Sequence, residues 1–497
     1  MQSWSDPSAA RRGPVIAVVG GGASGTLAVI HLLGEAARQQ VPLRVALIDR
    51  HGRHGLGQAY STAHPAHLLN SPAHVMSALA GDPGHLTRWA DRAGLSRDGF
   101  LSRSDYGRYL RELLEETERA ALPAVRVSHI TAEVIAMRRS DHGRALRLYL
   151  AADGRIDADV AILATGNLPS APLIPDPGNG RYIADPWEPG ALKPAMDGSP
   201  VIVAGTGLTM LDVAIAITDA HPRAVVHAVS RHGLLPLCHH WPRPVAADRP
   251  LSRGAVAPAG VAGLIREAGA PIGLAGLSRE TAAQIGLSGL IREVRASAAG
   301  YPGDWQDVVD ALRPQIPRLW DQLTEADKRT FLRLAARYWE VHRHRMPPAT
   351  ARRIGALRSA GRLSVLAGRV TAAGAQADGV RVRVEGGGPA AELSAGWLIN
   401  CTGPAGEIMA TADPLLRQLL DTGLARPGPL RLGLDADARG AVHDPGGRSA
   451  PDIFTLGPPL RGRWYETTAI PEIRDQAAAL GRLLVTSEAL AGRGSAA

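Results

Sequence analysis

The chain has 497 residues, 45% of them hydrophobic, and a formal net charge of +8. This length suffices for two or three domains with buried cores. Nearly all of the positive charge is arginine scattered among acidic residues, since Lys193 and Lys328 are the only lysines. Nucleic-acid-binding proteins usually show basic runs with interleaved aromatic residues, so no nucleic acid partner is expected. The scarcity of lysine also argues against Schiff-base chemistry.

Cysteine usage and apolar runs exclude further classes. Cys238 and Cys401 are the two cysteines, and they form no CxxC or CxxxxC pair. This argues against a flavin–disulfide reductase and against a cysteine-ligated metal site, and it fits a reducing cytoplasm. The N-terminal residues are polar, and no apolar stretch approaches membrane-spanning length. We therefore expect a cytoplasmic protein that binds neither a metal nor a membrane.

The most informative feature is a glycine-rich turn after the hydrophobic run 15–19, with Gly20, Gly22 and Gly25 in place. The first glycine permits the turn, the second lets the backbone approach phosphate, and the third lets the helix pack against the strand. A helix N-terminus placed this way directs unpaired amides at a pyrophosphate. The next strand ends in Asp49, which suits ribose hydroxyls and repels a 2′-phosphate. FAD or NAD therefore fits this site better than NADP.

A second glycine-rich turn follows the hydrophobic run 201–204. It contains Gly205 and Gly207, but Met210 replaces the third glycine, so helix and strand should lie slightly further apart. The following strand ends in Ser230-Arg231-His232 rather than in an acid. Because a guanidinium can pair with a 2′-phosphate through two hydrogen bonds, this turn predicts an NADPH site. Two such turns on one chain indicate a flavoprotein that receives electrons from a nicotinamide.

These features predict an α/β fold with two Rossmann-like dinucleotide-binding domains, β-meander insertions and a helical insertion. Residues 14–195 are expected to form the first part of the FAD-binding domain. Residues 196–396 are expected to form the NADPH-binding domain, with the helical insertion at about 236–350. Residues 397–497 are expected to return to the FAD-binding domain. Strands are predicted at 125–129, 131–138 and 145–151 as a meander, and a long helix is predicted at 325–345.

Several segments together resemble a bacterial family of FAD/NAD(P)-binding proteins related to flavin-dependent N-hydroxylating monooxygenases. They are residues 16–25, 60–78, 205–212, 339–348 and 467–474. The best-understood relatives convert L-aspartate to nitrosuccinate in natural-product pathways, with NADPH and O2. The resemblance implies N-oxygenation of a small amino acid through a flavin C4a-hydroperoxide. No FxGxxxH-type fingerprint of classical flavin monooxygenases is present, so the resemblance alone does not determine the chemistry.

The expected site residues fall into three groups, and no side chain is assigned as catalytic because the chemistry is centred on the flavin. The expected FAD-binding residues are Gly20, Gly22, Ala23, Ser24, Gly25, Asp49, Arg50, Gln58, Asn70, Val134, Thr165, Gly166, Gly457, Ala469 and Ile470. The expected NADPH-binding residues are Gly205, Thr206, Gly207, Leu208, Thr209, Ser230, Arg231, His232, Thr402 and Gly403. The substrate-binding candidates are His240, Tyr338, His342, Arg343 and Arg345.

The substrate candidates follow from helical spacing and charge. In a helix at 325–345, Tyr338, His342 and Arg345 would share one face, and Arg343 would lie on the neighbouring face. Arginines suit a dicarboxylate amino acid because they pair bidentately with carboxylates. A solvated basic helix face is an equally good reading of the same pattern. The sequence leaves open homo-oligomerisation, a flavin dehydrogenase or oxidase with the same cofactors, and an electron-transfer flavoprotein.

Overall fold

The computed structural model describes residues 13–95, 99–140, 145–240, 279–301, 304–386 and 388–486. These residues form two compact units. The first contains the chain up to Pro169, Pro404–Arg463 and the segment from Thr467, and the second contains Ser170–Gly403 and Trp464–Glu466. Part of the expected helical insertion, residues 241–278, lies outside the described residues.

The first unit is built on a six-stranded sheet. Its strands are β1 (Val15–Val19), β2 (Leu43–Asp49), β3 (Val125–Thr131), β7 (Val160–Leu163), β16 (Ala441–His443) and β17 (Ser449–Thr455). Their order is β16-β17-β7-β1-β2-β3, and every neighbouring pair is parallel except β16 with β17. Because β1 lies at the centre, its carboxyl end is placed where ligands bind in open α/β sheets.

Strand β1 is buried on both faces, which explains its unbroken run of apolar residues. Ile16 and Val18 face one hydrophobic core, whereas Val15, Ala17 and Val19 face a second core on the other side of the sheet. This alternation follows from the period of two residues in a strand. The sheet therefore separates two cores and holds the glycine-rich turn rigidly at its edge.

Helices cover this sheet. They are α1 (Ala23–Gln39), α2 (His85–Arg92), α3 (Arg103–Arg119), α11 (Pro414–Asp421) and α12 (Ile470–Thr486). Helix α3 begins at a conventional cap, because the Ser102 hydroxyl accepts a hydrogen bond from the Asp105 amide at 3.0 Å. Asp413 caps α11 in the same way. Helix α12 begins at Ile470, directly before Pro471, which suits the first turn of a helix.

The first unit also contains an antiparallel meander of β4 (Val134–Arg139), β5 (Leu146–Leu150) and β6 (Arg155–Ala158). The structure contains the predicted strand at 125–129, but this strand does not belong to the meander. It belongs to β3, which pairs in parallel with β2 from Leu43 to Asp49. Local sequence cannot distinguish these alternatives, because strand pairing depends on residues far away in the chain.

The second unit is built on a five-stranded parallel sheet. Its strands are β8 (Tyr182–Ile183), β9 (Val201–Ala204), β10 (Val226–Ser230), β11 (Leu363–Ala367) and β15 (Trp397–Asn400), in the order β11-β10-β9-β15-β8. A second meander follows β11 and comprises β12 (Arg369–Gln376), β13 (Gly379–Glu385) and β14 (Ala391–Ala395). The unit begins at Ser170, earlier than the expected residue 196, because β8 pairs with β15.

The helices of the second unit include most of the expected insertion. They are α4 (Leu208–Ala220), α5 (Arg279–Gly300), α6 (Trp305–Leu312), α7 (Ile316–Gln322), α8 (Glu325–Thr330), α9 (Ala336–Arg343) and α10 (Pro348–Ser359). A π-helical turn, Phe331–Ala335, separates α8 from α9. The expected single helix at 325–345 is therefore interrupted, and it ends at Arg343.

The early end of α9 has a clear cause. The Met346 amide donates to the Leu237 carbonyl at 2.8 Å, and the Met346 carbonyl accepts from the His239 amide at 3.0 Å. The residue directly before a proline disfavours helical conformation because it clashes with the proline ring, and Met346 directly precedes Pro347. The prediction that Arg345 shares a helical face with Tyr338 and His342 is consequently wrong.

The predicted fold class is confirmed by the two parallel sheets, the two meanders and the helices of the insertion. Within the described ranges, no helix is long and apolar enough to cross a membrane.

Helices α1 and α12 pack closely at Gly481, where a Cβ atom would lie 3.0 Å from the His31 carbonyl oxygen. We predict that Gly481→Leu lowers the free energy of unfolding by about 1–3 kcal/mol, because overpacking displaces the neighbouring helix. Gly34 in α1 has open space around it and provides the control. Gly34→Ala should raise the free energy of unfolding by about 0.5–1 kcal/mol, through helix propensity. Urea denaturation measures both changes, and equal effects would contradict the packing argument.

Candidate nucleotide-binding sites

The first glycine-rich turn is so tight that side chains cannot be accommodated at two of its positions. Gly20 has φ +111°, and a Cβ atom there would lie 2.2 Å from the Ala164 carbonyl oxygen. A Cβ atom on Gly25 would lie 1.9 Å from the Gly20 carbonyl oxygen. Glycine is therefore required by sterics at both positions, as the sequence predicts.

Helix α1 begins without a side-chain cap. Gly22 occupies the N-cap position with an extended backbone, and it supplies no hydroxyl or carboxylate to the amides of Ala23 and Ser24. A following loop packs against the turn: the Gly55 amide donates to the Gly21 carbonyl at 2.9 Å. Gln58 lies exposed in the same loop. An uncapped helix N-terminus of this kind is suited to the negative charge of a pyrophosphate.

Asp49 is held in position beside this turn. Its carboxylate accepts hydrogen bonds from the amides of Gly21, His51 and Arg53 at 3.0–3.1 Å. A carboxylate has about four acceptor directions, so one remains for a ribose hydroxyl. The three amides fix the carboxylate orientation, which the sequence alone did not reveal.

Thr165 and Gly166 follow β7, next to the turn. The Thr165 hydroxyl is buried and has no hydrogen-bond partner among the described residues. Thr165 and Gly166 line a small pocket together with residues that follow β17, including Pro458 and Arg461. A buried hydroxyl without a partner costs free energy unless a ligand or water satisfies it. The residues present thus fit a bound dinucleotide at this edge of the sheet.

Gly457 is brought to the N-terminus of α1 by β17. It has φ +73°, and a Cβ atom there would lie 2.8 Å from the Ser24 hydroxyl. Its amide donates to Gln476 at 2.7 Å, and its carbonyl accepts from Thr467 at 3.2 Å. The Gln476 amide also donates to the Thr467 hydroxyl at 2.8 Å. Neither Thr467 nor Gln476 was among the expected residues, because their role depends on a contact between distant segments.

The remaining expected FAD residues lie in the same unit. Ala469 and Ile470 stand at the start of α12, and Ile470 is buried. Arg50 is exposed at the end of β2, and its guanidinium lies 4.0 Å from Glu133. Val134 begins β4 and is buried. Asn70 is half-buried, in the segment that connects β2 with α2.

The second glycine-rich turn repeats the geometry of the first. Gly205 has φ +110°, and a Cβ atom there would lie 2.2 Å from the Cys401 carbonyl oxygen. Gly207 is the N-cap of α4 and supplies no side-chain cap to Leu208 or Thr209. Met210, at the position of the third glycine, is fully buried. Helix α4 therefore presents its N-terminus at the sheet edge, although one glycine is missing.

Between these glycines, Thr206 is buried and hydrogen-bonded to the end of β10. Its hydroxyl lies 2.8 Å from the Ser230 hydroxyl and 2.6 Å from the Leu234 carbonyl oxygen. Arg231 and His232 follow Ser230 and are exposed. The turn and the strand end, expected from the sequence to form one site, are thus physically connected.

Thr402 and Gly403 follow β15 on the other side of the turn. The Thr402 amide and hydroxyl both donate to the Asn400 side-chain oxygen, at 3.1 and 2.7 Å. Asn400 is buried and donates in turn to the Ala171 carbonyl at 3.1 Å. Asn400 was not expected from the sequence, where it looked like the last residue of a strand.

The substrate candidates separate into two environments. Tyr338 and His342 are exposed on α9, and the His342 ring lies 2.7 Å from the Tyr338 carbonyl oxygen. Arg343 and Arg345 are buried. His240 is exposed, and its ring contacts the Asp304 carboxylate. The structure therefore does not bring the five candidates to one face.

The buried arginines have acidic neighbours. The Arg343 Nε atom lies 3.7 Å from a Glu466 carboxylate oxygen, and Trp339 donates to Glu466 at 2.9 Å. Burial alone would raise the pKa of Glu466, but the charges of Arg343 and His344 outweigh it and keep this pKa below its usual value. The Arg345 Nη2 atom contacts both Asp310 carboxylate oxygens at 2.6 Å.

The two sheets, each with a glycine-rich turn at a parallel-strand edge, both have the geometry of a dinucleotide-binding unit. Residues 17–168 match a family model described as FAD-NAD(P)-binding. This part of the chain is a FAD/NAD(P)-binding domain. The match covers the turn, Asp49 and Thr165.

One curated protein is similar to this chain in sequence, and solved structures are similar to it in fold. The chain is 27% identical over 270 residues to the L-aspartate N-monooxygenase (nitrosuccinate-forming) of Streptomyces davaonensis, which covers 44% of this chain and 41% of that protein. The matched stretch is thus less than half of that relative. The L-lysine 6-monooxygenase structure from Pseudomonas syringae has a TM-score of 0.62 at 13% identity, over 96% of this chain and 100% of the other. Bacillithiol disulfide reductase from Staphylococcus aureus has a TM-score of 0.52 at 11% identity, over 95% and 98%.

These comparisons confirm the relationship expected from the sequence. Residues 17–168 match the FAD-NAD(P)-binding family model, and the chain as a whole has the fold of N-hydroxylating flavin monooxygenases. The same fold also occurs in a disulfide reductase, so the fold alone does not select the reaction.

Gly207 offers a test of the second site, because a Cβ atom there meets nothing within 4 Å. We predict that Gly207→Ala changes the free energy of unfolding by less than about 1 kcal/mol. The dissociation constant of the Gly207→Ala variant for NADPH should rise about tenfold or more, because the methyl group occupies the space that a pyrophosphate needs. Gly355→Ala in α10, also in open space, is the control. Unchanged NADPH affinity in Gly207→Ala would show that the phosphate does not approach this turn.

Proposed function

We propose that this protein is an FAD- and NADPH-dependent monooxygenase that oxygenates the amine of a small amino acid, with L-aspartate as the first candidate. The observation that carries the proposal is the pair of uncapped helix N-termini, α1 and α4, each behind a glycine-rich turn. Sequence similarity to an L-aspartate N-monooxygenase supports the substrate. The net reaction converts RNH2, O2, NADPH and H+ to RNHOH, NADP+ and H2O, and further rounds lead toward nitrosuccinate.

The charge at the end of the second strand of each unit supports the proposal that FAD binds the first unit and NADPH the second. In the first unit, Asp49 accepts three amide hydrogen bonds and retains capacity for a ribose hydroxyl, which favours FAD. In the second unit, Ser230 and Arg231 replace an acid, which favours a nucleotide with a 2′-phosphate. When bound, the flavin supplies electron transfer from NADPH to O2 and oxygen transfer to the amine.

Arg345 supports a carboxylate-bearing substrate. Its side chain is only 2% exposed, and Nη2 is occupied by Asp310. The Nε and Nη1 atoms are buried and have no hydrogen-bond partner among the described residues. Because Cδ lies between them, these two nitrogens do not share an edge of the guanidinium, and each would donate separately to an acceptor. An amino acid carboxylate would satisfy donors whose burial is otherwise costly.

Arg343 has a different role in this proposal. Its charge is balanced by Glu466, which Trp339 also holds in place. A paired buried charge of this kind stabilises local structure and disfavours a second anion beside it. We therefore assign carboxylate recognition to Arg345 and structural support to Arg343.

A flavin dehydrogenase or oxidase, or an electron-transfer flavoprotein, is the competing function, because the fold also occurs in a reductase. An amino acid panel scored by NADPH oxidation, hydrogen peroxide and product mass separates these functions. We expect L-aspartate to accelerate NADPH oxidation and to gain oxygen. Succinate, which has both carboxylates but no amine, is the matched control and should yield no oxygenated product. If no amino acid changes the rate or gains mass, the proposal is wrong.

Arg345→Lys tests the carboxylate assignment. We predict that kcat/KM for the amino acid falls about tenfold or more, mainly through KM, because hydrogen bonds to charged groups contribute about 1.5–3 kcal/mol. Lysine keeps the charge but lacks the guanidinium Nε and Nη1 donors. Arg358→Lys, on an exposed position of α10, is the control and should retain wild-type kinetics. Steady-state kinetics and a thermal melt of each variant are required, and an unchanged KM in a folded Arg345→Lys protein would refute the assignment.

A further inference from the structure

Arg337 of α9 contacts the second glycine-rich turn. Its Nη2 atom donates to the Thr206 carbonyl at 3.2 Å, to the Thr206 hydroxyl at 3.1 Å and to the Leu234 carbonyl at 2.5 Å. Thr206 lies inside the turn, and Leu234 lies in the loop after β10. The guanidinium is therefore anchored between the turn and the strand end. The sequence contains no signal for this contact, because Arg337 lies more than a hundred residues further along the chain.

The charge of Arg337 is balanced in part by Glu340. Burial lowers the pKa of Arg337, the Glu340 carboxylate opposes this shift, and the positive charge of Arg231 adds to it. The Glu340 carboxylate lies 3.7 Å from the Arg337 Nη1 atom, which is an ion-pair distance but longer than a normal hydrogen bond. Two arginines that repel each other beside a helix N-terminus are stabilised by an anion of high charge, and phosphate has the matching geometry.

The next residue of α9 adds an aromatic surface. Tyr338 is 50% exposed, and its ring centroid lies 5.7 Å from that of His232, with 41° between the ring planes. His232 follows Arg231 at the end of β10. Exposed aromatic rings that follow a phosphate-binding position can cover a purine by stacking. This location separates Tyr338 from the buried arginines with which the sequence had grouped it.

We propose that α9 completes the nicotinamide-nucleotide site, with Arg337 and Arg231 binding the 2′-phosphate and the Tyr338–His232 pair covering the adenine. The proposal rests on the proposed function in one respect, that NADPH is the reductant. It adds specificity-determining residues from the helical insertion to a site whose other residues come from the strand–turn–helix unit. The nucleotide would thus contact two segments, β9–α4–β10 and α9.

Two fragments of the nucleotide test the phosphate contact without substrate or oxygen. Adenosine 2′,5′-bisphosphate carries the 2′-phosphate, and 5′-AMP lacks it. Calorimetric titration of the FAD-loaded protein measures the affinity for each fragment. We expect Arg337→Gln and Arg231→Gln each to lower the affinity for the bisphosphate at least tenfold and to change the affinity for 5′-AMP less than twofold. Arg333→Gln removes an exposed arginine from the preceding π-helical turn and should change neither affinity. Equal weakening of both fragments by Arg337→Gln would show a structural role only and overturn the proposal.

Tyr338→Leu provides a second test if Arg337→Gln does not fold, because replacing an exposed side chain should leave the fold intact. This variant should lower the affinity for both fragments by a similar factor, about threefold to tenfold, since stacking acts on the adenine that they share. If Tyr338→Leu binds both fragments like the wild type, α9 does not cover the adenine and the proposal fails. A wild-type protein that does not discriminate the fragments would refute NADPH as the reductant. Discrimination without amino-acid-dependent oxidation would refute the proposed monooxygenase activity alone.

Discussion

The structure depends on two places where a strand-end carbonyl comes very close to a glycine. The Ala164 carbonyl approaches Gly20, and the Cys401 carbonyl approaches Gly205, each so closely that a Cβ atom would lie at 2.2 Å. This approach lets β7 and β15 lie directly beside β1 and β9. It also forces the chain into a sharp turn, so that α1 and α4 begin at the sheet edge without a side-chain cap. The binding sites are a consequence of this steric requirement.

On this shared scaffold, the two units differ in charge. Asp49 and Ser230 occupy equivalent strand ends, but Asp49 is fixed by amides of the turn and the next loop, whereas Ser230 is linked to Thr206. In the proposed function, the first arrangement would place a negative charge near the ribose of FAD, and the second would leave room for positive charge from Arg231. Electrostatics, rather than a different backbone, therefore distinguishes the nucleotides that the two units favour.

The parts of the fold that follow from local pattern could be predicted from the sequence. Strands β1 and β9, the glycine positions and the last helix follow from apolar runs and turn residues. The place of β3 could not be predicted, because a short alternating strand pairs equally well with β2 or with a meander. The end of α9 depends on the pairing of Met346 with the chain near Leu237, which no helical periodicity records. Arg337, Asn400 and Gln476 were missed for the same reason: each acts on a backbone group distant in sequence.

The insertion has a consequence for how nucleotide and substrate recognition are related within the second unit. Arg337 is the second residue of α9 (Ala336–Arg343), and Arg345 lies two residues beyond the C-terminal end of this helix. Arg337 is tied to the glycine-rich turn, and Arg345 is tied to α6 through Asp310. The helix thus connects the two residues that are proposed to bind the nucleotide phosphate and the substrate carboxylate. If phosphate binding at Arg337 changes the affinity of Arg345 for a carboxylate, thermodynamic linkage requires that the carboxylate change the nucleotide affinity by the same factor.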